Sequence, residues 1–591
     1  MGRNRFNSLV SKTLLGTVCA LPLAFTLGGC DSKTEPNPAD AETATCTPMD
    51  SVPQRLWRLS TQQFSNSVRD LLGLPAGPAL STTGGGAQFA FFSSDTLSVD
   101  PGLAFSVNGA VKTALAAAAP QLPALAACST GEDESACAQR FATTFGMRAF
   151  RRPLDSSEVV SLMNVYNQGR LQDFNTGISL MVQALLQSPS FLFRTELGGA
   201  ADPKTGATTL TPYETATQLS YTFLNSTPDA PLLAAAADGS LGTAQGVAKQ
   251  VDRLLQTDAV KQNIDNVVIS WFNVPQLVIK TKDPSLIPAA VASMVPQGQD
   301  VQATLESDIT TSTTDFVDDI VWKGSGRVTE LLTSNKLFVN QRLAALYGLP
   351  YGDGTGARPD GFLGVADPQP RAGMITQPGF IWSLSDPATT SIVHRGKEIH
   401  DYVICGNALK PPPPGLLSSP TIIQLLAQLP TELDKAEYRL GDSFCSSCHQ
   451  NMDTYGLLLE KLDPVGNHRT MYAAADMDTD PISETADFST FPSLAPLNMP
   501  ITGPVDFAKA IVADHQFTDC AAMMMVSYAL GRFAVSTVPD PLDNTSTVTV
   551  NNTCEVDSVR AQFNRSDGKL STLLKQVATA AFVQSRSGGS P

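Results

Sequence analysis

Residues 60–73 read STQQFSNSVRDLLG. Ser60 stands three places before Gln63, the capping-box spacing in which a hydroxyl takes one orphan N–H of a helix start and an amide takes another. Phe64, Val68, Leu71 and Leu72 then share one face of a 3.6-residue period, and Gly73 sits where a left-handed residue closes a helix. This one stretch thus specifies the start, the buried face and the stop of a helix.

The same grammar recurs along the chain. Asp155 to Glu158 is a second box, followed by Val159, Leu162 and Val165. Ile178, Val182 and Leu185 line a helix that must stop near Pro189. Thr211, Pro212 and Glu214 supply an N-cap, a first-turn proline and an N3 acid. Asn340 to Tyr347 is closed by Gly348, Gly503-Pro504 opens a run to Val512, and Ala521 to Leu530 ends at Gly531. Period-two patterns are few, the clearest being TSTVTV at Thr545 to Val550. The expectation is a mainly α, multi-domain helical protein with long irregular connections and few short strands. Composition breaks near 115–127, 198–208, 350–370, 410–418 and 475–500 divide it into domains at 51–120, 121–197 (with RAFRRPL), 205–350, 368–470 and 485–585. Lys410 to Pro414 reads as a stiff polyproline spacer.

The first residues read as a targeting segment, 1–29. Arg3, Arg5 and Lys12 precede an apolar run, Thr13 to Leu27, that is too short to span a bilayer comfortably. It ends in Leu-Gly-Gly-Cys30, which resembles a bacterial lipobox, so Cys30 is the expected lipidation site and the membrane the expected partner. Residues 30–50 are a polar tether. No other run of about eighteen apolar residues is evident, so no transmembrane helix is expected. Loss of the three leader basic residues leaves 37 basic against 56 acidic residues, a net −19. Such a surface repels phosphate backbones and excludes a nucleic-acid role. The expected location is the cell envelope, facing the periplasm or the cell surface.

Eight cysteines remain after Cys19 and Cys30: Cys46, Cys128, Cys137, Cys405, Cys445, Cys448, Cys520 and Cys554. Export permits disulfides. Cys128–Cys137, across a short polar loop, and Cys405–Cys520 are the expected pairs, with Cys46–Cys554 tying the ends.

Cys445 to Gly456, CSSCHQNMDTYG, holds the only C-x-x-C-H run. Two thiols on one helical turn can reach both vinyl groups of one porphyrin, and His449 then lies under the iron as proximal ligand. Zinc would want four ligands. A thioredoxin-like pair would want a βαβ setting. A plain structural disulfide remains the main alternative to one haem c. Met452, three residues after His449, would sit on the same side of the ring and is a poor distal ligand. Met499, before a proline, is the preferred distal candidate; His394, His468 and His515 are others, and an open, five-coordinate iron is a further option. Arg469 could pair with Glu460 or with a haem propionate. Gly456 could admit a ring or a backbone at close range.

Several stretches together resemble one bacterial family: RLWRLSTQQFSNSVRDLLGL (55–74), FGMRAFRRPLDSSE (145–158), SPSFLFRTE (188–196), LTPYETATQLSYTFLNSTPDAPLL (210–233), FVNQRLAALYGLP (338–350), RAGMITQPGF (371–380), TTSIVHRGKEI (389–399), CGNALKPPPP (405–414), the motif at 445–469 and YALGRF (528–533). These resemble the surface-protein domains of unknown function described first in planctomycetes and common in myxobacteria, often linked to cytochrome c modules. The resemblance implies an architecture and a candidate haem rather than a reaction; His468 stands where the family usually has an aromatic residue. No catalytic residue is assigned. Arg148, Arg151 and Arg152 read as a helix-end cluster before an anion site, and Ser391 with His394 as a cap before a hydrolase pair, since no G-x-S-x-G elbow accompanies them. The functional expectation is an envelope lipoprotein with one c-type haem, passing electrons to a periplasmic or surface partner or reacting with a small oxidant. The alternative is a non-catalytic structural or binding lipoprotein. A carbohydrate role finds no carboxylate pair to support it.

Overall fold

Helices begin where the caps place them in the computed structural model, which describes residues 52–80, 99–274, 281–406, 419–429, 431–443, 445–450, 452–472, 501, 503–531, 539–540, 543–547 and 553–587. Ser60 Oγ accepts the Gln63 N–H at 3.1 Å, and Gln63 Oε1 accepts the Ser60 N–H at 3.1 Å, opening the helix Thr61–Leu72 that Gly73 closes. Asp155 and Thr211 complete the same reciprocal pair for Ser156–Arg170 and Pro212–Phe223. Asn340 caps Gln341–Tyr347, and Pro504–Ala513 follows Gly503. The helix predicted from Ala521 starts earlier, spanning Gln516–Leu530, because Phe517 and Cys520 add to its buried face.

The region near residue 120 departs from expectation. The break placed at 115–127 falls inside a helical run: Pro101–Ala118 passes through Ala119–Gln121 into Leu122–Ala126. That run, Pro101–Ala126, is also long and apolar enough by length and composition to cross a membrane, which corrects the expectation that no such run exists. One face of it packs into the core. Leu103, Val107, Val111 and Leu115 are buried with Phe64, Phe141 and Ile178 in one hydrophobic cluster.

Among the described residues, strands form only four two-stranded sheets. Asp543–Thr547 pairs with Pro539–Asp540, so the TSTVTV strand begins two residues early, and residues 548–550 lie outside the described chain. The fold is therefore mainly α, as its caps and periods predict.

Two cores differ in how they are assembled. One draws on residues 59–191 plus Tyr221, so its partners are close in sequence. The other gathers Leu219, Trp271, Phe380, Tyr455, Phe507, Met524 and Leu573 from across the remaining chain. Together the described residues belong to one compact unit, Cys46–Pro591.

A buried ionic clamp joins its distant segments. Strand Arg55–Arg58 lies antiparallel to Phe193–Glu196 with Arg55 opposite Glu196, and Ser585–Arg586 pairs with Thr208–Thr209. Glu196 accepts from Arg55 Nε at 2.9 Å and from Arg586 Nε at 2.8 Å. Burial alone would raise its pKa, but Arg55, Arg586 and Arg194 hold the carboxylate at about 2. Trp57 is sandwiched between the guanidiniums of Arg55 and Arg194, 3.6 and 4.1 Å from its ring centre.

Candidate functional site

Thr431 opens the helix Glu432–Gly441 with another capping box. At its end Asp442 turns the chain: its carboxylate accepts the Cys445 N–H at 2.9 Å and its carbonyl accepts the Ser446 N–H at 2.8 Å. The short helix Ser446–His449 follows, and the His449 N–H returns to the Cys445 carbonyl at 3.1 Å. Cys445, Cys448 and His449 therefore lie on a single turn, each half-buried. Cys445 and Cys448 are thiols, with no disulfide between them. Burial, helped by the neighbouring Asp442 carboxylate, pushes the Cys445 thiol above its ordinary range. That is the reverse of the activated thiolate of a redox dithiol.

The histidine is held from behind. His449 Nδ1 lies 3.0 Å from Asp453 Oδ1, and Arg439 Nε donates to Asp453 Oδ2 at 2.6 Å. Asp453 is wholly buried and Arg439 nearly so. Donation from Nδ1–H to a carboxylate leaves the lone pair of the neutral ring on Nε2, the tautomer a metal-ligating histidine needs.

This turn rests on the helix Ile392–Glu398 through two glycines. A methyl built on Gly396 would lie 1.7 Å from the Met452 carbonyl oxygen, and one on Gly456 would lie 2.0 Å from the Ile392 carbonyl oxygen. The close approach at Gly456 is thus made by backbone. Arg395 fixes the far end of the motif. It is fully buried and donates to the carbonyls of Leu459, Leu462 and Asp463 and to Ser385 Oγ. Arg469 Nη2 donates to Glu460 Oε1 at 2.6 Å, an oxygen that also accepts from Thr390 and Tyr472. Burial pushes the Glu460 carboxyl up, against the pull of Arg469 and Arg395. The structure therefore places Arg469 on the salt bridge with Glu460.

Met499 lies outside the described residues. His394 is exposed on its helix, with its N–H on the Ser391 cap. His515 is exposed at the N-cap of Gln516–Leu530. His468 is half-buried near Arg371 and Asp367, and burial lowers its pKa to about 4. Met452 lies three residues after His449, its N–H on the His449 carbonyl.

One histidine escaped sequence reading. His400 is buried in a wide helical turn, Ile399–Val403, with Nδ1 2.8 Å from Asp401 Oδ1 and its ring 6.3 Å from that of Tyr455. Beside it, burial pushes the Glu398 carboxyl up to about 7. The sequence holds no periodic signal for such a turn; the adjacent His-Asp pair at 400–401 was the available hint.

The arginine cluster meets backbone more than acids. Arg151 donates to the carbonyls of Ala149, Ser190, Phe191 and Phe193. Arg152 pairs with Glu158, and Arg148 donates to the Asp70 carbonyl. Cys128–Cys137 and Cys405–Cys520 form the expected disulfides, each with Cα atoms 5.4 Å apart. Cys46 and the Cys554 side chain lie outside the described residues. Among the described residues, the ligand atoms of three potential metal-binding side chains converge only at Cys128, Glu132 and Cys137. There the sulfurs are bonded to each other and Glu132 is taken by Arg140 at 2.8 Å. The C-x-x-C-H turn does not gather its ligand atoms as a zinc site does.

Comparison with known families gives three matches in chain order. Residues 137–196 match PSD5, protein of unknown function (DUF1595); residues 210–349 match PSD4, protein of unknown function (DUF1592); residues 371–472 match PSCyt3, protein of unknown function (DUF1588). No curated protein and no solved structure matches the chain. Three stretches of the chain are thus similar to domains of unknown function, and the C-x-x-C-H turn, with both the helix beneath it and the Arg469–Glu460 pair, falls within the third stretch.

Proposed function

We propose that this chain is an envelope lipoprotein carrying one c-type haem, bound by thioethers from Cys445 and Cys448 and ligated by His449 Nε2. The observation that carries the reading is the turn itself: two thiols and a histidine whose Nδ1 is engaged by a buried carboxylate. The residues present fit the group, because the tautomer is set and the three side chains are half-buried rather than sealed in the core. The cytochrome-like label of the PSCyt3 family supports the same reading. When bound, the haem supplies one-electron chemistry. The protein's own residues hold it, orient its proximal ligand and tie the supporting helices together. Attachment to the membrane would run through Cys30, with a periplasmic or surface redox partner or a small oxidant as reactant.

Expression with a cytochrome c maturation system tests this. The expected result is a haem-sized mass increase and a sharp α band on reduction. Unmodified mass, with unchanged stability in His449→Ala, contradicts it. The second reading is a structural surface lipoprotein. It is favoured by the two disulfides that already staple the fold, and it requires Cys445 and Cys448 to be bridged in the mature protein.

A further inference from the structure

We infer that Asp453 and Arg439 act as an opposed pair of positioning residues that set the electron donation of His449, and through it the reduction potential of the haem. The inference rests on the reading above and names what regulates that site.

Asp453 Oδ1 faces His449 Nδ1 at 3.0 Å, and Oδ2 accepts from Arg439 Nε at 2.6 Å. A carboxylate accepting from the Nδ1–H of a ligating imidazole makes the ring a stronger donor through Nε2. Burial strengthens this effect, since water does not screen the contact. Asp453 has no exposed surface, so its charge is divided between these two partners. Arg439 holds the shorter bond and draws charge to the other oxygen, limiting what reaches the histidine. The two residues therefore push the iron in opposite directions. Asp453 favours its oxidised form, and Arg439 moderates that preference.

A purely structural reading assigns Asp453 another task, tying the helix Glu432–Gly441 to the helix Asp453–Leu457. That role predicts loss of stability on breaking the pair from either side, and no shift of the iron when both charges are removed together. The variant lacking both charges is therefore the discriminating one.

The test uses the full haem-loaded chain and reads the midpoint potential by spectroelectrochemical titration. Asp453→Asn keeps shape and an acceptor but removes the charge, and its potential should rise. Arg439→Gln leaves the carboxylate charge to the histidine, and its potential should fall. Asp453→Asn leaves Arg439 buried without its acid, so the charge-neutral double variant Asp453→Asn/Arg439→Gln guards against simple misfolding; it should also rise above wild type. Shifts of the two single variants in the same direction, or no shift in the double variant at full haem occupancy, overturn the inference while leaving the haem itself standing. A wild-type chain whose mass shows no haem overturns both.

Discussion

Glu196 and Asp453 are both carboxylates buried to near-completion, each shared by two side chains, yet they do different work. The partners of Glu196, Arg55 and Arg586, come from the two ends of the described chain and are both permanent cations. Asp453 draws on local partners, Arg439 and His449, and only one of them is a permanent cation. The first arrangement uses all its charge for closure. A buried acid surrounded by arginines can do nothing but stay ionised, and breaking it strands charge in the core. The second leaves one partner with a second nitrogen whose chemistry the carboxylate sets. Similar burial and similar bond lengths thus give a clamp in one place and an orienting group in the other.

The sharpest way to break the comparison is Glu196→Gln. It removes the acid facing Arg55, Arg586 and Arg194, and urea unfolding should show a loss of about 3–5 kcal/mol. Next comes the platform under the C-x-x-C-H turn. Gly396→Ala places a methyl 1.7 Å from a carbonyl oxygen that cannot rotate away, so the two helices must part. The expected cost is about 1–3 kcal/mol, together with reduced haem attachment. Gly396→Ala with wild-type stability would show that the helices are not in contact.

Legibility followed the same division. The caps at Ser60, Asp155 and Thr211 and the stops at Gly73 and Gly348 could be read directly, because each depends on residues within a turn of one another. The disulfide pairs were accessible from loop polarity and flanking helices. The Glu196 clamp was not, since no local pattern announces a contact spanning the sequence distance from Arg586 to Glu196. At the site, the thiols and His449 were legible from spacing. Asp453 was visible only as part of the motif, and its hydrogen bond to His449 needed the fold of the intervening turn. Likewise, Gly456 announced a close approach, but only the structure shows that the backbone of Ile392 makes it.

The smallest expected effect concerns pH. Glu196 is depressed to about 2, so the stability it contributes is present above its unfolded pKa of about 4.3 and is lost as pH falls towards 2. Glu398 is raised to about 7 by burial. Its contribution is present below about 4.3 and is lost as pH rises through 7. The melting temperature should therefore decline on both sides. Glu398→Gln should flatten the decline between about pH 4.5 and 7 without abolishing it, because burial also raises Asp265 to about 7. An unchanged pH profile in Glu398→Gln would contradict the assignment.

The central claim is that Cys445 and Cys448 carry haem, and the most direct measurement is the mass of the proteolytic peptide containing residues 445–449 from chain matured with haem-attachment machinery. The predicted result is one haem adduct spanning both sulfurs, resistant to reductant and absent from Cys445→Ala/Cys448→Ala. A peptide lighter by two hydrogens, restored by reductant, or two thiols open to alkylation, would contradict it.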